Sequence, residues 1–235
     1  GIRDVAVTGV QTCALPIFLT GLIPEITAAL KHFQLDYDIV DKRNNTQFAH
    51  EKIEDNFLNS WLPDGMDKLT LYDYQVDLIN KAIKQKRGIV FAPTSAGKTN
   101  ILVGILKSLP PKTPTLVLQN RIGLAEQNYS ELHKWKFDNL GRLWGKCVDP
   151  NIITVASVQS VIKMEKVLPK IKCLIVDEIH DMMSKTPISI YKKLKSADIR
   201  IAISATPFKF GETDKVQKHQ VKGYFGPRSE EHTSE

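Results

Sequence analysis

The chain has 235 residues, 42% hydrophobic and 25% charged, an ordinary balance for a globular protein with one substantial core. Its formal net charge is +6, which favours a polyanionic partner. Three scattered cysteines exclude a disulfide framework and a zinc module, and no apolar run approaches the length of a membrane span.

The two ends read as foreign. The tail Arg228-Ser229-Glu230-Glu231-His232-Thr233-Ser234-Glu235 can be encoded by aga tcg gaa gag cac acg tct gaa. In a shifted frame, the reverse complement of that string contains cag acg tgt gct ctt ccg atc, which spells Gln11-Thr12-Cys13-Ala14-Leu15-Pro16-Ile17. One short DNA in opposite orientations at the two ends resembles a sequencing adapter, so residues 1–17 and 228–235 are set aside as an expected artefact. The remaining 18–227 carries a net charge of +8 and two cysteines, Cys147 and Cys173, which suit a reducing, cytoplasmic setting.

Residues 18–68 open with a helical pattern over Ile23 to Phe33, with Pro24 in its first turn. Tyr37 to Val40 alternates like a strand, Asp41 to Asn56 is polar without a pattern, and Trp61-Leu62-Pro63-Asp64-Gly65 reads as a turn or linker. This stretch is expected to be a partial α+β accessory module whose beginning is lost.

From Leu69 the rhythm changes. Strands are expected at Ile89 to Phe91, Thr115 to Gln119, Ile152 to Ala156, Cys173 to Val176 and Arg200 to Ser204. Helices are expected between them at Tyr74 to Lys84, Lys98 to Leu109, Gly123 to Lys134, Val158 to Val167 and Ile188 to Leu194. Short β-branched strands separated by helices imply an α/β fold, a parallel sheet with helices on both faces. Ligands in such sheets bind at the carboxyl ends of the strands.

Both chemical motifs fall at those ends. Ala92-Pro93-Thr94-Ser95-Ala96-Gly97-Lys98-Thr99 joins an apolar strand to a helix with the spacing of a phosphate-binding P-loop, although Ala92 stands where the general motif has Gly. Backbone N–H groups of Pro93 to Thr99 and the helix N-terminus would face phosphate oxygens, apart from Pro93, which has none. Lys98 would reach the β- and γ-phosphates of ATP, and the Thr99 hydroxyl would sit on Mg²⁺. The plain alternative is a solvated lysine at a helix start. The second motif, Leu174-Ile175-Val176-Asp177-Glu178-Ile179-His180, sets two acids directly behind a buried strand. Asp177 would hold Mg²⁺ through its water shell, and Glu178 would orient or deprotonate the attacking water. Two solvated rim carboxylates are the alternative. Runs such as Lys192-Lys193 read as solvated helix faces.

With Ser204-Ala205-Thr206-Pro207, these motifs resemble motifs I, II and III of superfamily 2 helicases of the DEXH kind. Tyr74-Gln75 resembles the upstream adenine-reading element, Gln119 to Gln127 resembles motif Ia, and Thr154 to Ser160 resembles motif Ib. The ordered set covers Leu69 to about Gly211 and implies a RecA-like P-loop lobe over 69–211, with 212–227 beginning an inter-lobe segment. Thr20-Gly21-Leu22-Ile23-Pro24, Asp41-Lys42-Arg43 and the Pro-Thr-Ser-Ala-Gly-Lys loop resemble phage UvsW-like and XPB-like DNA helicases. Departures are Gln119-Asn120 where motif Ia commonly has Pro-Thr, and Ser157 where motif Ib commonly has Thr.

The resemblance supplies further roles. Gln75 would read the adenine edge, His180, Ser204 and Thr206 would couple nucleotide state to strand binding, and Arg121, Ser157 and Gln159 would face the nucleic-acid backbone. For Ser157 and Gln159, ordinary helix capping is the alternative. The implied partner is DNA, single-stranded or branched, rather than RNA, with no membrane. The implied second lobe has no motif in this chain, so weak Mg-ATP binding, poor turnover and no unwinding are expected of it alone. Rival readings are a restriction-system motor subunit, a nucleotide-gated nucleic-acid-binding module without catalysis, and a P-loop ATPase acting on protein.

Overall fold

A computed structural model of the chain describes residues 6–8, 19–40, 45–93, 96–162, 168–205, 215–226 and 228–229. The strands are β1 (Ala6–Thr8), β2 (Asp38–Val40), β3 (Arg87–Phe91), β4 (Thr115–Gln119), β5 (Leu140–Trp144), β6 (Cys147–Asp149), β7 (Ile153–Ser157), β8 (Cys173–Asp177), β9 (Ile199–Ser204) and β10 (Arg228–Ser229). The helices are α1 (Ile23–His32), α2 (Asp73–Gln85), α3 (Lys98–Ser108), α4 (Ile122–Lys134), α5 (Val158–Val161), α6 (Lys185–Lys193) and α7 (Lys215–Phe225).

Eight strands form one sheet in the order β10-β3-β9-β8-β4-β7-β5-β6, and β1 and β2 form a separate antiparallel ribbon. Every pairing in the large sheet is parallel except that of β5 with β6. Central strands are buried on both sides, so each reads as an unbroken apolar run whose alternate residues serve opposite faces. In β4, Val117 joins one core with Leu78 and Ile79 of α2, Ile101 and Ile105 of α3 and Ala125 and Leu132 of α4. Its neighbours Leu116 and Leu118 join the other, with Val158 and Val161 of α5, Ile190 of α6 and Val221 and Phe225 of α7. Burying each such side chain contributes about 1.5–3 kcal/mol, which is what clamps helices on both faces.

The expected strands all form, within two residues of their expected ends. The expected helix over Val158 to Val167 is described only as Val158–Val161, and residues 163–167 lie outside the described ones. Within 18–227 two strands were not expected: β5 and β6 extend the sheet beyond β7. The patternless stretch after Val40 has a clear place from residue 45 onward. Ile53, Leu58 and Leu71 are fully or nearly buried in the core beneath α2 and α3. Asn80 brackets Ile53, accepting from its N–H at 2.8 Å and donating to its carbonyl at 3.1 Å. The expected turn at Trp61 to Gly65 closes with Met66 N–H donating to Pro63 O at 3.2 Å. Of the two ends set aside as adapter-like, only residues 6–8 and 228–229 are described, as β1 and β10.

Candidate active site

The loop between β3 and α3 lies at the carboxyl edge of the sheet. Ala92 N–H donates to Ser204 O at 3.0 Å, fixing the loop's start to the end of neighbouring β9. Gly97 caps α3 with φ +63°, a left-handed conformation that glycine adopts without Cβ strain. A Cβ there would meet Gln75 Nε2 at 2.4 Å, so the backbone passes directly over that side chain.

Gln75 is 1% exposed and its amide is engaged on both sides. Nε2 donates to Ala96 O at 2.9 Å, and Oε1 accepts from Tyr72 N–H at 3.1 Å. Tyr74 Oη donates to the same Ala96 carbonyl at 3.1 Å. Gln75 thus braces the loop from below through Ala96 O.

Lys98 reaches across from α3 to ion-pair with Glu178 Oε1. Glu178 follows β8 in a left-handed conformation, φ +52°, and its carboxylate meets Lys98 of α3 and Ser204 at the end of β9. Ser204 Oγ donates to Glu178 Oε2 at 2.9 Å, and His180 Nδ1 lies 3.2 Å from Ser204 Oγ and 3.3 Å from Glu178 Oε2. Burial pushes the Glu178 carboxyl pKa up, but hydrogen bonds from Lys98 and Ser204 and the charges of Lys98 and His180 outweigh it, so the pKa falls below the ordinary value. The acid is therefore held ionised.

Asp177, one residue earlier, faces the other way. Its Oδ2 accepts from Gln119 Nε2 and Asn128 Nδ2, each at 3.2 Å, and its Oδ1 accepts from Glu178 N–H at 3.0 Å. Gln119 Oε1 is fully buried without a hydrogen-bond partner. Between Lys98, Thr99, Asn128 and Asp177 lies a cavity of about 30 Å³, the space of roughly one water. No group of three or more His, Cys, Asp or Glu among the described residues could hold a metal alone. Thr99 and Asp177 both line that cavity, whose other walls include the apolar Leu102 and Ile175, and a hydroxyl with a carboxylate is a donor pair that fits Mg²⁺, which takes one or two protein oxygens and completes its shell with phosphate and water. Asn128 went unnoticed in the sequence, since a lone Asn on an amphipathic helix carries no signal of its own.

Pro93 is exposed at the mouth of the loop, while Thr94, Ser95 and Thr206 lie outside the described residues. Paired β4 and β7 end level, Gln119 against Ser157, and beyond them Arg121 and Gln159 are exposed. Ser157 is buried and its hydroxyl donates to Ser160 Oγ at 3.1 Å.

A family model described as type III restriction enzyme, res subunit, matches residues 68–209. The DNA 3'-5' translocase XPB2 of Sulfurisphaera tokodaii is 32% identical over 158 residues, covering 66% of this chain and 35% of the relative. This chain therefore spans about a third of that relative's length. The UvsW helicase of bacteriophage T4 has a similar structure, with a TM-score of 0.71 at 17% identity over 93% of this chain and 83% of that one. The SWI2/SNF2 ATPase core of Sulfolobus solfataricus in complex with dsDNA gives a TM-score of 0.52 at 17% identity, over 66% of this chain and 36% of that one.

Proposed function

Because the chain belongs to the type III restriction enzyme res-subunit family and has the fold of the first RecA-like lobe of superfamily 2 helicases, we propose that it is the ATP-binding lobe of a DEXH-type DNA helicase or translocase that hydrolyses ATP to remodel or unwind DNA. The carrying observation is the contact chain from Lys98 through Glu178 to Ser204 and His180, which ties the P-loop to the ends of β8 and β9.

The chemistry follows from which contacts a nucleotide would replace. Lys98 has its ammonium on Glu178 and would transfer it to the β- and γ-phosphate oxygens, an exchange of one anion for another. Glu178, released and already ionised, would orient the attacking water and take its proton. Thr99 and Asp177 would hold Mg²⁺, which when bound neutralises charge building on the phosphates. Gln119 and Asn128 would keep Asp177 aimed. His180 and Ser204, both touching Glu178, would report its state to β9. Arg121 and Gln159 would meet the DNA backbone, with Ser157 positioning the turn beneath them. Such phosphate contacts are independent of base sequence and sensitive to salt.

A second lobe would complete the site with an arginine finger, so this lobe alone would bind Mg-ATP weakly, turn it over poorly and unwind nothing. DNA is preferred to RNA on the strength of the translocase relative. A second reading, the motor subunit of a restriction system, draws support from the description of the matching family. The test is ATP hydrolysis by the complete gene product with single-stranded DNA, branched DNA and RNA. Stimulation by DNA that Lys98→Ala abolishes supports the proposal. ATP-dependent retention on DNA without turnover favours a binding module, and indifference to all nucleic acid favours an ATPase acting on protein.

A further inference from the structure

At the amino edge of the sheet, where β4 and β7 begin with Thr115 and Ile153, a cleft of about 260 Å³ opens beside the C-terminal end of α3. Its walls are largely apolar: Trp61, Leu109, Pro110 and Phe137. Lys107 enters it as the last basic residue of α3. The Lys107 ammonium lies 3.9 Å from the Phe137 ring centroid and 5.1 Å from that of Trp61, and donates to Lys136 O at 3.2 Å.

No carboxylate among the described residues ion-pairs with Lys107; Asp138 acts on it only at longer range. Other lysines differ. Lys136 pairs with Asp64 at 3.0 Å, Lys134 with Glu131 at 2.6 Å, and Lys98 with Glu178. The rings favour the charged amine through their faces. Burial opposes this and, outweighing the pull of Asp138, pushes the pKa down to about 8. A half-buried amine without a carboxylate partner, standing in an open cleft, is a nucleophile that the proposed ATP chemistry does not use.

We propose that Lys107 is a site of Nε-acylation by small acyl phosphates that enter this cleft. The lone pair of the neutral amine attacks the carbonyl carbon and a C–N bond forms. The bond from that carbon to the phosphate oxygen then breaks, phosphate leaves with the electron pair, and the surplus proton on nitrogen passes to the departing phosphate or to water. The apolar walls receive the acyl group, and Lys107 itself is the cation in the cleft that no carboxylate among the described residues pairs with. A cleft of about 260 Å³ admits a donor of a few heavy atoms and excludes a bulky carrier. Because the cleft is at the amino edge, opposite the P-loop, it stays open whatever covers the carboxyl edge.

The test is acetylation of the full chain by acetyl phosphate across a pH series, with adducts located and timed by peptide mass spectrometry. At neutral pH Lys107 should be acetylated about ten-fold faster than the exposed Lys112 and Lys146, since its larger neutral fraction outweighs its lower intrinsic nucleophilicity. Its rate should level off above about pH 8, where an ordinary lysine's rate keeps rising. Phe137→Ala, which opens the cleft to water, should bring Lys107 to within about two-fold of Lys112. Equal rates for the three lysines in the unaltered chain, or a Lys107 profile with no bend, would overturn the proposal, and neither result depends on the variant folding. An undiminished rate advantage in a folded Phe137→Ala chain would overturn it as well.

Discussion

Gly97→Ala probes the loop where its geometry is tightest. Gly97 has φ +63°, and an alanine held there costs about 1–2 kcal/mol. The new Cβ would also stand 2.4 Å from Gln75 Nε2, forcing that amide off Ala96 O. Displacing a buried donor costs about 1–3 kcal/mol, and Tyr74 still serves Ala96 O, so the lower half of that range applies. The sum is about 2–4 kcal/mol, or roughly 4–16 °C in Tm for a chain of this size. Gly65→Ala is the matched control, because its φ is +82° and no atom lies within 4 Å of an added Cβ. It bears only the backbone cost and sits far in sequence from the P-loop. Thermal unfolding and equilibrium titration with a fluorescent ATP analogue read both effects. Gly97→Ala should lose about ten-fold or more in nucleotide affinity, the equivalent of about 1.4 kcal/mol, and Gly65→Ala none. Equal Tm values for the two variants, with affinity intact in both, would refute the reasoning.

Other consequences can be read as directly. Asn128→Ala removes one of the two side-chain donors on Asp177 Oδ2, so a Mg²⁺ titration of nucleotide binding should shift about ten-fold to higher metal, with the fold retained. Arg121→Ala should lower the slope of log affinity for DNA against log salt by about 0.7–0.9, the signature of one lost phosphate contact. Glu178 has a folded pKa below its ordinary 4.5, so its contribution to stability is present above that value and lost as the pH falls through the lower, folded one. Lys98→Ala removes the main lowering influence. The difference in Tm between the unaltered chain and that variant should therefore narrow on acidification below about pH 5, as followed by circular dichroism.

Strands β3, β4, β7, β8 and β9 were legible because burial on both faces demands continuous apolar, β-branched runs such as Leu174-Ile175-Val176. Strands β5 and β6 were not. Leu140-Gly141-Arg142-Leu143-Trp144 carries a glycine and an exposed arginine, and Cys147-Val148-Asp149 is three residues with Val148 62% exposed, as an outer strand permits. Residues 45–72 form no regular element longer than a short 3₁₀ turn, so their burial under α2 and α3 shows only in Asn80's bonds to Ile53 and similar tertiary contacts. We propose that this stretch belongs with the ATP-binding lobe. At the site, the Lys98 and Glu178 pairing spans 80 positions and was legible only through the chemistry of the two motifs. Gln75 was singled out for adenine, and its grip on Ala96 O depends on a helix–loop approach that no local pattern encodes.

The central claim, a nucleotide site built on Lys98, Thr99 and Asp177, is tested most directly by isothermal titration of Mg-ATP into the unaltered chain, Lys98→Ala and Asp177→Asn, with and without chelator. The unaltered chain should bind weakly but measurably, Lys98→Ala should lose that binding, and chelator should have a reduced effect in Asp177→Asn. Undiminished binding in Lys98→Ala, or no binding by the unaltered chain at millimolar nucleotide, would contradict the claim.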